Sequence, residues 1–225
     1  MSGSVIFRRL GLCDYETTFQ AMSDFTSERL EHSDDEIWSL QHPSVYTLGL
    51  AGKKEHILNA GQIPVINTDR GGQVTYHGPG QIVLYLLLDL RRRKMGIKDF
   101  VNHLEQALID YLKHLGLSAS RQPGAPGVYI EDKKIAALGI RVRKGCCYHG
   151  LSLNVDMDVE PFTGINPCGY PNLQVTQLVD FGLKLATDEV VDGLLKFLLS
   201  NIYAEPYNVI NKQGLEDLLP NHVAA

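Results

Sequence analysis

Residues 69–81 read Asp-Arg-Gly-Gly-Gln-Val-Thr-Tyr-His-Gly-Pro-Gly-Gln and run directly into seven consecutive apolar residues, 82–88. Five of those thirteen residues are glycine or proline, so no helix or unbroken strand can pass through the segment. Gly71-Gly72 and Gly78-Pro79-Gly80 are turn signals on either side of a short strand at 73–77. The apolar run suits a strand buried on both faces, and it falls far short of the roughly 20 residues that span a bilayer. The expected layout is strand, turn, buried strand, with glycines that let a ligand approach the backbone.

Periodicity supplies the other elements. Tyr15, Phe19, Met22, Phe25 and Leu30 recur mostly every three or four residues after Asp14, an available N-cap, which predicts an amphipathic helix. Val45, Tyr46, Thr47 and Leu48 favour a strand closed by Gly49; a short turn or helix at 53–58 leads to another strand at 63–66. Over 98–115, Val101, Leu104, Leu108, Tyr111, Leu112 and Leu115 form a helical stripe, with Gly116 suited to the C′ position. A short strand at 119–121 precedes the Gln122-Pro123-Gly124-Ala125-Pro126-Gly127 loop. Segments 128–130, 134–142 and 146–155, separated by tight turns, read as a three-stranded antiparallel meander. Residues 161–171 are irregular, and Thr187, followed by Asp188 and Glu189, is placed to cap a final helix. The expected fold is α/β (α+β), a single domain over 1–225 on a mixed, largely antiparallel sheet flanked by helices.

Composition narrows the function. A net charge of -5 argues against generic nucleic-acid binding, which depends on cations neutralising phosphates. Met1-Ser2-Gly3-Ser4-Val5 reaches Arg8-Arg9 without an apolar stretch, so no secretory signal is read and a cytoplasmic place is expected, with no membrane span. Cys13, Cys146, Cys147 and Cys168 include no C-x-x-C spacing, which predicts reduced thiols and no metal site. Free cysteines are commonly buried, yet Cys168 lies between Pro167 and Gly169, in a loop where a thiol can be reached. The candidate reactive groups are Cys168, Lys134, His77, His149, Thr75 and Arg70. The glycine-rich segment matches neither G-x-G-x-x-G nor a P-loop.

Four stretches together carry a resemblance: Arg70-Gly71-Gly72-Gln73-Val74-Thr75-Tyr76-His77-Gly78-Pro79-Gly80-Gln81, Lys134-Ile135-Ala136-Ala137-Leu138-Gly139, His149-Gly150-Leu151-Ser152-Leu153-Asn154-Val155 and Pro167-Cys168-Gly169. In this order and spacing they resemble the lipoyl(octanoyl) transferase family. The resemblance implies a fold shared with biotin protein ligases and lipoate ligases, and transfer of an octanoyl group from acyl carrier protein to a lysine of a lipoyl domain. It makes Cys168 the nucleophile and Lys134 its partner. Arg70, Gly71, Gly72, Gln73, Val74, Thr75, Tyr76, His77, Ala137, Leu138, Gly139, Gly150, Leu151 and Ser152 would line the acyl and pantetheine site, with His77 and His149 as supporting groups. It implies no ATP and no metal, acceptors on 2-oxoacid dehydrogenase complexes and the glycine cleavage H protein, and a monomer. Ser152 stands where the family pattern leads one to expect alanine. The rival readings are an ATP-dependent lipoate or biotin ligase and a non-catalytic acyl-binding scaffold.

A thioester donor and an amide product suit a cysteine, which exchanges thioesters at little net free-energy change before amine attack runs downhill. An unperturbed thiol, with a pKa near ~8.5, is only a few per cent thiolate at neutral pH. Lys134 would either favour the thiolate as an ammonium or, if neutral, take the thiol proton; both remain open at this level. Full ionisation is worth ~30-fold, so positioning and hydrogen bonds to the tetrahedral oxyanion must supply the rest. Arg91-Arg92-Arg93-Lys94, with Arg141, Arg143 and Lys144, forms a basic cluster read either as a docking face for an acidic carrier or as a solvated loop.

Overall fold

The computed structural model describes residues 4–203 and 207–216; Met1, Ser2 and Gly3, on which the reading of the N-terminus rests in part, lie outside them. In chain order the elements are β1 (Ser4–Leu12), α1 (Tyr15–Glu28), β2 (Asp35–Gln41), β3 (Val45–Leu48), β4 (Val65–Asn67), β5 (Val74–His77), β6 (Gln81–Leu87), α2 (Ile97–His114), β7 (Ser120–Gln122), β8 (Ala125–Ile130), β9 (Lys133–Arg143), β10 (Cys146–Asn154), α3 (Thr187–Ile202) and β11 (Asn208–Gln213). Eight strands form one mixed sheet in the order β11-β1-β2-β6-β10-β9-β8-β7, and β4-β3-β5 form a second, smaller one. Among the described residues of the large sheet only β1 pairs in parallel, with β11 and with β2; every other neighbour is antiparallel.

The uninterrupted apolar run becomes β6 because both of its faces are covered. Ile82, Leu84 and Leu86 point into the core beneath α2 and α3, while Val83, Tyr85 and Leu87 meet Trp38 and Met22 of α1 on the other side. Among the described residues no helix is long and apolar enough to cross a membrane. The expected meander is present as β8-β9-β10, and Gly116 follows α2 with φ 84°. Asp14 caps α1, its carboxylate accepting the Thr17 N–H at 2.9 Å.

Several expectations need correction. Thr187 is the first residue of α3 rather than its cap; Ala186 holds that position with no side-chain bond. The expected strand, turn and buried strand around Gly78-Pro79-Gly80 are present, with β5 in the small sheet and β6 at the centre of the large one. Gly80 makes the crossing possible: its φ is 85°, and a Cβ there would lie 1.8 Å from the Asp156 carbonyl oxygen. β1, β2 and β11 escape the periodicity reading. In β1 and β2 the reason is a buried ion pair: Arg8 Nε meets Glu36 Oε2 at 2.7 Å, and Trp38 Nε1 donates to the same oxygen at 2.6 Å. Charged residues in mid-strand look like surface until each is seen to supply the other's partner.

Two arginines of the basic cluster, Arg92 and Arg93, also have a partner inside the protein. Arg29, Arg92 and Arg93 all converge on the fully buried Asp35, with Arg92 Nη2 2.7 Å from Oδ1, and the Arg93 guanidinium lies 3.6 Å over the Tyr203 ring. Arg91 pairs with Asp89 at 3.1 Å. Three of these arginines neutralise a carboxylate that would otherwise be buried alone.

Candidate active site

Lys134 owes its direction to a β-bulge. Val128 opposes Ala136 while Tyr129 opposes Lys134, so β9 carries one extra residue, Ile135, at this point. Ile135 and Ala136 both enter the core below α2, and Lys134 is turned to the opposite side. Bulges re-aim side chains in this way beside functional sites. The lysine is 3% exposed; its Nζ donates to the Pro126 carbonyl at 3.0 Å and to Cys168 Sγ at 2.9 Å. Pro126 is itself held from the far side, because Glu105 of α2 accepts the Gly127 N–H at 2.9 Å and Arg121 Nε at 2.9 Å.

Cys168 sits in a 3-10 turn, Pro167–Gly169, in the left-handed region with φ 56° and ψ 16°. A non-glycine residue there is strained, and such strain persists only where the surroundings impose it. They do so here. The Asn166 N–H donates to the His56 carbonyl at 2.8 Å, and the Tyr170 hydroxyl reaches the Gly124 carbonyl at 2.7 Å. Immediately downstream, the Lys134 N–H donates to Gln174 O at 2.9 Å and the Thr176 N–H to Lys134 O at 2.9 Å. The chain leaving the cysteine turn thus lies against the backbone of the lysine.

Burial draws the Lys134 ammonium downward, but the Cys168 sulfur and the Tyr129 hydroxyl together outweigh it, so the lysine titrates above its ordinary range. Cys13, Cys146 and Cys147 are unpaired, and the latter two are buried. Burial pushes the Cys147 thiol up to about 12, which leaves it inert.

Cys168 opens into a mostly apolar cavity of about 250 Å3 between the two sheets. Its walls include Arg70, Gly72, Gln73, Val74, Thr75 and His77 on one side, and Ala137, Leu138, Gly139, Gly150, Leu151 and Ser152 on the other. Two anticipated residues are elsewhere. Tyr76 alternates to the opposite face of β5, where its hydroxyl meets Ser44 at 2.9 Å, and Gly71 tethers its loop to β9 through the Ile140 carbonyl at 3.1 Å. Arg70 is buried and spends its guanidinium on the chain: Nε on Thr47 Oγ1 at 3.0 Å, Nη2 on the Thr47 and Gln73 carbonyls at 2.6 and 2.8 Å. Burial lowers its pKa. It shapes the loop and adds positive charge beside the cavity.

His149 reaches the cavity wall through its own left-handed backbone, φ 59°, which turns the ring toward Phe19 and Tyr148. Nε2 lies 2.9 Å from Asp69 Oδ1, and Tyr148 donates to the other oxygen. Burial lowers the histidine's pKa, whereas Asp69 is lowered against its own burial by these two partners. The pair is therefore neutral imidazole and carboxylate, with Nε2–H donating. His77 Nδ1 bonds Gln81 Oε1 at 2.6 Å, and burial lowers it to about 3.

The sequence reading missed Tyr15, Val83, Tyr85, Pro126 and Tyr170, which also line the cavity, and Asp69 and Glu105, which brace it. Tyr15 was legible only as an apolar helix position. No local signal marks Glu105, a polar residue on the buried face of α2 whose partners lie 16 and 22 positions away.

Residues 14–199 match the family described as the lipoyl protein ligase A/B catalytic domain. Relatives named octanoyltransferase include one from Dechloromonas aromatica (strain RCB), 55% identical over 197 residues that make up 88% of this chain and 96% of that one. Another, from Thiobacillus denitrificans, is 54% identical over 201 residues, 89% of this chain and 92% of that one. A third, from Xanthomonas campestris pv. campestris (strain 8004), is 58% identical over 188 residues, 84% and 81% of the two chains. A crystal structure of lipoate-protein ligase A bound with ATP superposes with a TM-score of 0.74 at 15% identity, covering 97% of this chain and 91% of that chain. Biotin protein ligase from Aquifex aeolicus in complex with biotin and ATP gives 0.56 at 14% identity, covering 88% and 70%. At these identities the structures establish the fold.

Proposed function

Since the chain belongs to the lipoyl protein ligase A/B catalytic domain family, we propose that it is an octanoyltransferase, taking an octanoyl group from the phosphopantetheine thioester of acyl carrier protein and delivering it to the lysine ε-amine of a lipoyl domain. One observation carries the mechanism: Lys134 Nζ stands 2.9 Å from Cys168 Sγ where the apolar cavity opens.

The ammonium form of Lys134 sets the order of events. It stabilises the Cys168 thiolate, whose sulfur bonds the donor carbonyl carbon while the C=O pair moves onto oxygen. Collapse restores the carbonyl and expels the pantetheine sulfur, which takes the proton from Lys134. The acceptor amine, entering neutral, then attacks the acyl-cysteine. Lys134, now neutral, accepts the amine's surplus proton as Cys168 leaves as thiolate. Each step leaves the lysine ready for the next, and because a thioester is exchanged for an amide no ATP is required. In this reading the acyl chain occupies the cavity that Arg70, Thr75, Ala137, Gly139, Gly150 and Ser152 help to line. The four unpaired thiols accord with a reducing cytoplasm, where donor and acceptor would be met by a monomer.

The test is intact-mass analysis after incubation with octanoyl-loaded carrier in the absence of ATP. An octanoyl adduct on the wild type, absent from Cys168→Ala and discharged by apo lipoyl domain, is expected. An adduct that forms only with ATP and free acid would instead favour the ligase reading.

A further inference from the structure

A second, very small cavity of about 10 Å3 adjoins the acyl cavity, room for one water-sized group. Thr75, Ala137, Ser152 and Cys168 line both spaces and so ring the neck between them. Lys134, Gln81 and Asn154 complete the polar side of the smaller one. Gln81 and Asn154 are already committed, since Gln81 Nε2 donates to Asn154 Oδ1 at 2.9 Å and Asn154 Nδ2 to the Thr176 carbonyl at 2.9 Å. The hydroxyls of Thr75 and Ser152 are not: among the described residues neither makes a hydrogen bond, although Thr75 is 9% and Ser152 4% exposed. They approach from opposite walls, Thr75 from β5 and Ser152 from β10, where it lies between Val83 and Ala137.

Neither oxygen is among the fully buried atoms that lack a partner, so each hydroxyl is accessible and uncommitted. Two such hydroxyls beside a nucleophile, on the walls shared by both cavities, are available to a partner that arrives with the substrate. Building on the transferase reading above, we propose that the small cavity is the oxyanion site and that the Thr75 and Ser152 hydroxyls are its side-chain donors. When Cys168 Sγ bonds the thioester carbon, the alkyl chain lies in the apolar cavity, and the neck places the carbonyl oxygen in the polar one. The electron pair of the broken π bond collects on that oxygen, where the two O–H groups and the Lys134 ammonium face it; collapse returns the pair as the sulfur leaving group departs. The hydroxyls are pre-positioned, so their contribution appears as charge develops rather than when substrate binds.

Alkylation of Cys168 by iodoacetamide needs the thiolate but forms no oxyanion, so it separates this role from thiol activation or loose packing. In single-turnover acylation by octanoyl-loaded carrier protein, Thr75→Val is expected to be slowed by about 10²-fold, with alkylation within threefold of wild type and most of the rate restored in Thr75→Ser. Ser152→Ala, a change too small to threaten folding, is expected to slow acylation selectively in the same way. Acylation and alkylation falling together, or acylation by both Thr75→Val and Ser152→Ala at the wild-type rate, would overturn the assignment while leaving the transferase reading intact. A wild-type protein that acquires no acyl adduct would overturn both.

Discussion

Lys134 Nζ and Cys168 Sγ are 2.9 Å apart, and the contact exists because a single extra residue in β9, Ile135, turns the lysine away from the core. The first expectation concerns that pair. In the proposed mechanism the Lys134 ammonium is the counter-charge of the attacking sulfur, so Lys134→Ala is expected to slow alkylation of Cys168 at neutral pH by about 10-fold or more. Stopped-flow alkylation measures it; an unchanged rate would mean that the lysine does not sustain the thiolate.

Gly127 offers a second, sharper probe of the same geometry. Its φ is 134°, and a Cβ would lie 2.7 Å from the Ala136 carbonyl oxygen and 3.2 Å from Lys134 Nζ. Gly127→Ala should therefore cost more than about 1 kcal/mol of stability and displace the lysine, lowering the acylation rate more than donor binding. Denaturant melts with single-turnover kinetics at saturating donor distinguish these effects.

Asp35 is predicted to matter for folding and not for chemistry. Asp35→Ala would leave Arg29, Arg92 and Arg93 without their common carboxylate, at a cost of about 3–5 kcal/mol. A fall in Tm of roughly 10 °C is expected for a domain of this size. Arg92→Glu with Arg93→Glu should likewise lower Tm; a double variant of unchanged Tm and raised KM for the carrier would return the cluster to a docking role.

Stability should decline as pH falls below the ordinary histidine range. His42, chiefly through burial, is lowered to about 4, and His77, also chiefly through burial, to about 3. Both are neutral in the folded protein, whereas in the unfolded chain they protonate near ~6.5. The unfolded state therefore binds the extra protons, and each group removes up to about 1.4 kcal/mol per pH unit from 6.5 down to its folded value. Asp14, lowered mainly by the Thr17 N–H, and Asp69, lowered by His149 and Tyr148 against its own burial, act in the same direction but only below ~3.8. Calorimetric Tm between pH 7.5 and 4.5 should fall less steeply in His42→Gln than in the wild type.

Much of the plan was legible in the chain. The glycine-proline punctuation around residues 73–77 and the apolar run after it foretold a short strand, a turn and a central strand, because backbone freedom and two-sided burial leave local marks. The stripe from Val101 to Leu115 foretold α2 for the same reason. Cys168 between proline and glycine already indicated a turn, and the chain-wide motif resemblance singled out Lys134.

What no local pattern carries is pairing between distant segments. Arg8 and Glu36 read as surface until β1 and β2 lie side by side, and Arg92 and Arg93 read only as members of a basic cluster until Asp35 is found buried beside them. The bulge at Ile135 depends on the register of β8 against β9, and the neck ringed by Thr75 and Ser152 depends on two sheets meeting. By itself the sequence determined which residues had the chemistry and where the chain must turn. Tertiary structure alone decided which of them touch, because strand register and charge neutralisation are settled between residues far apart in the chain, in an interior where an unpaired group is costly.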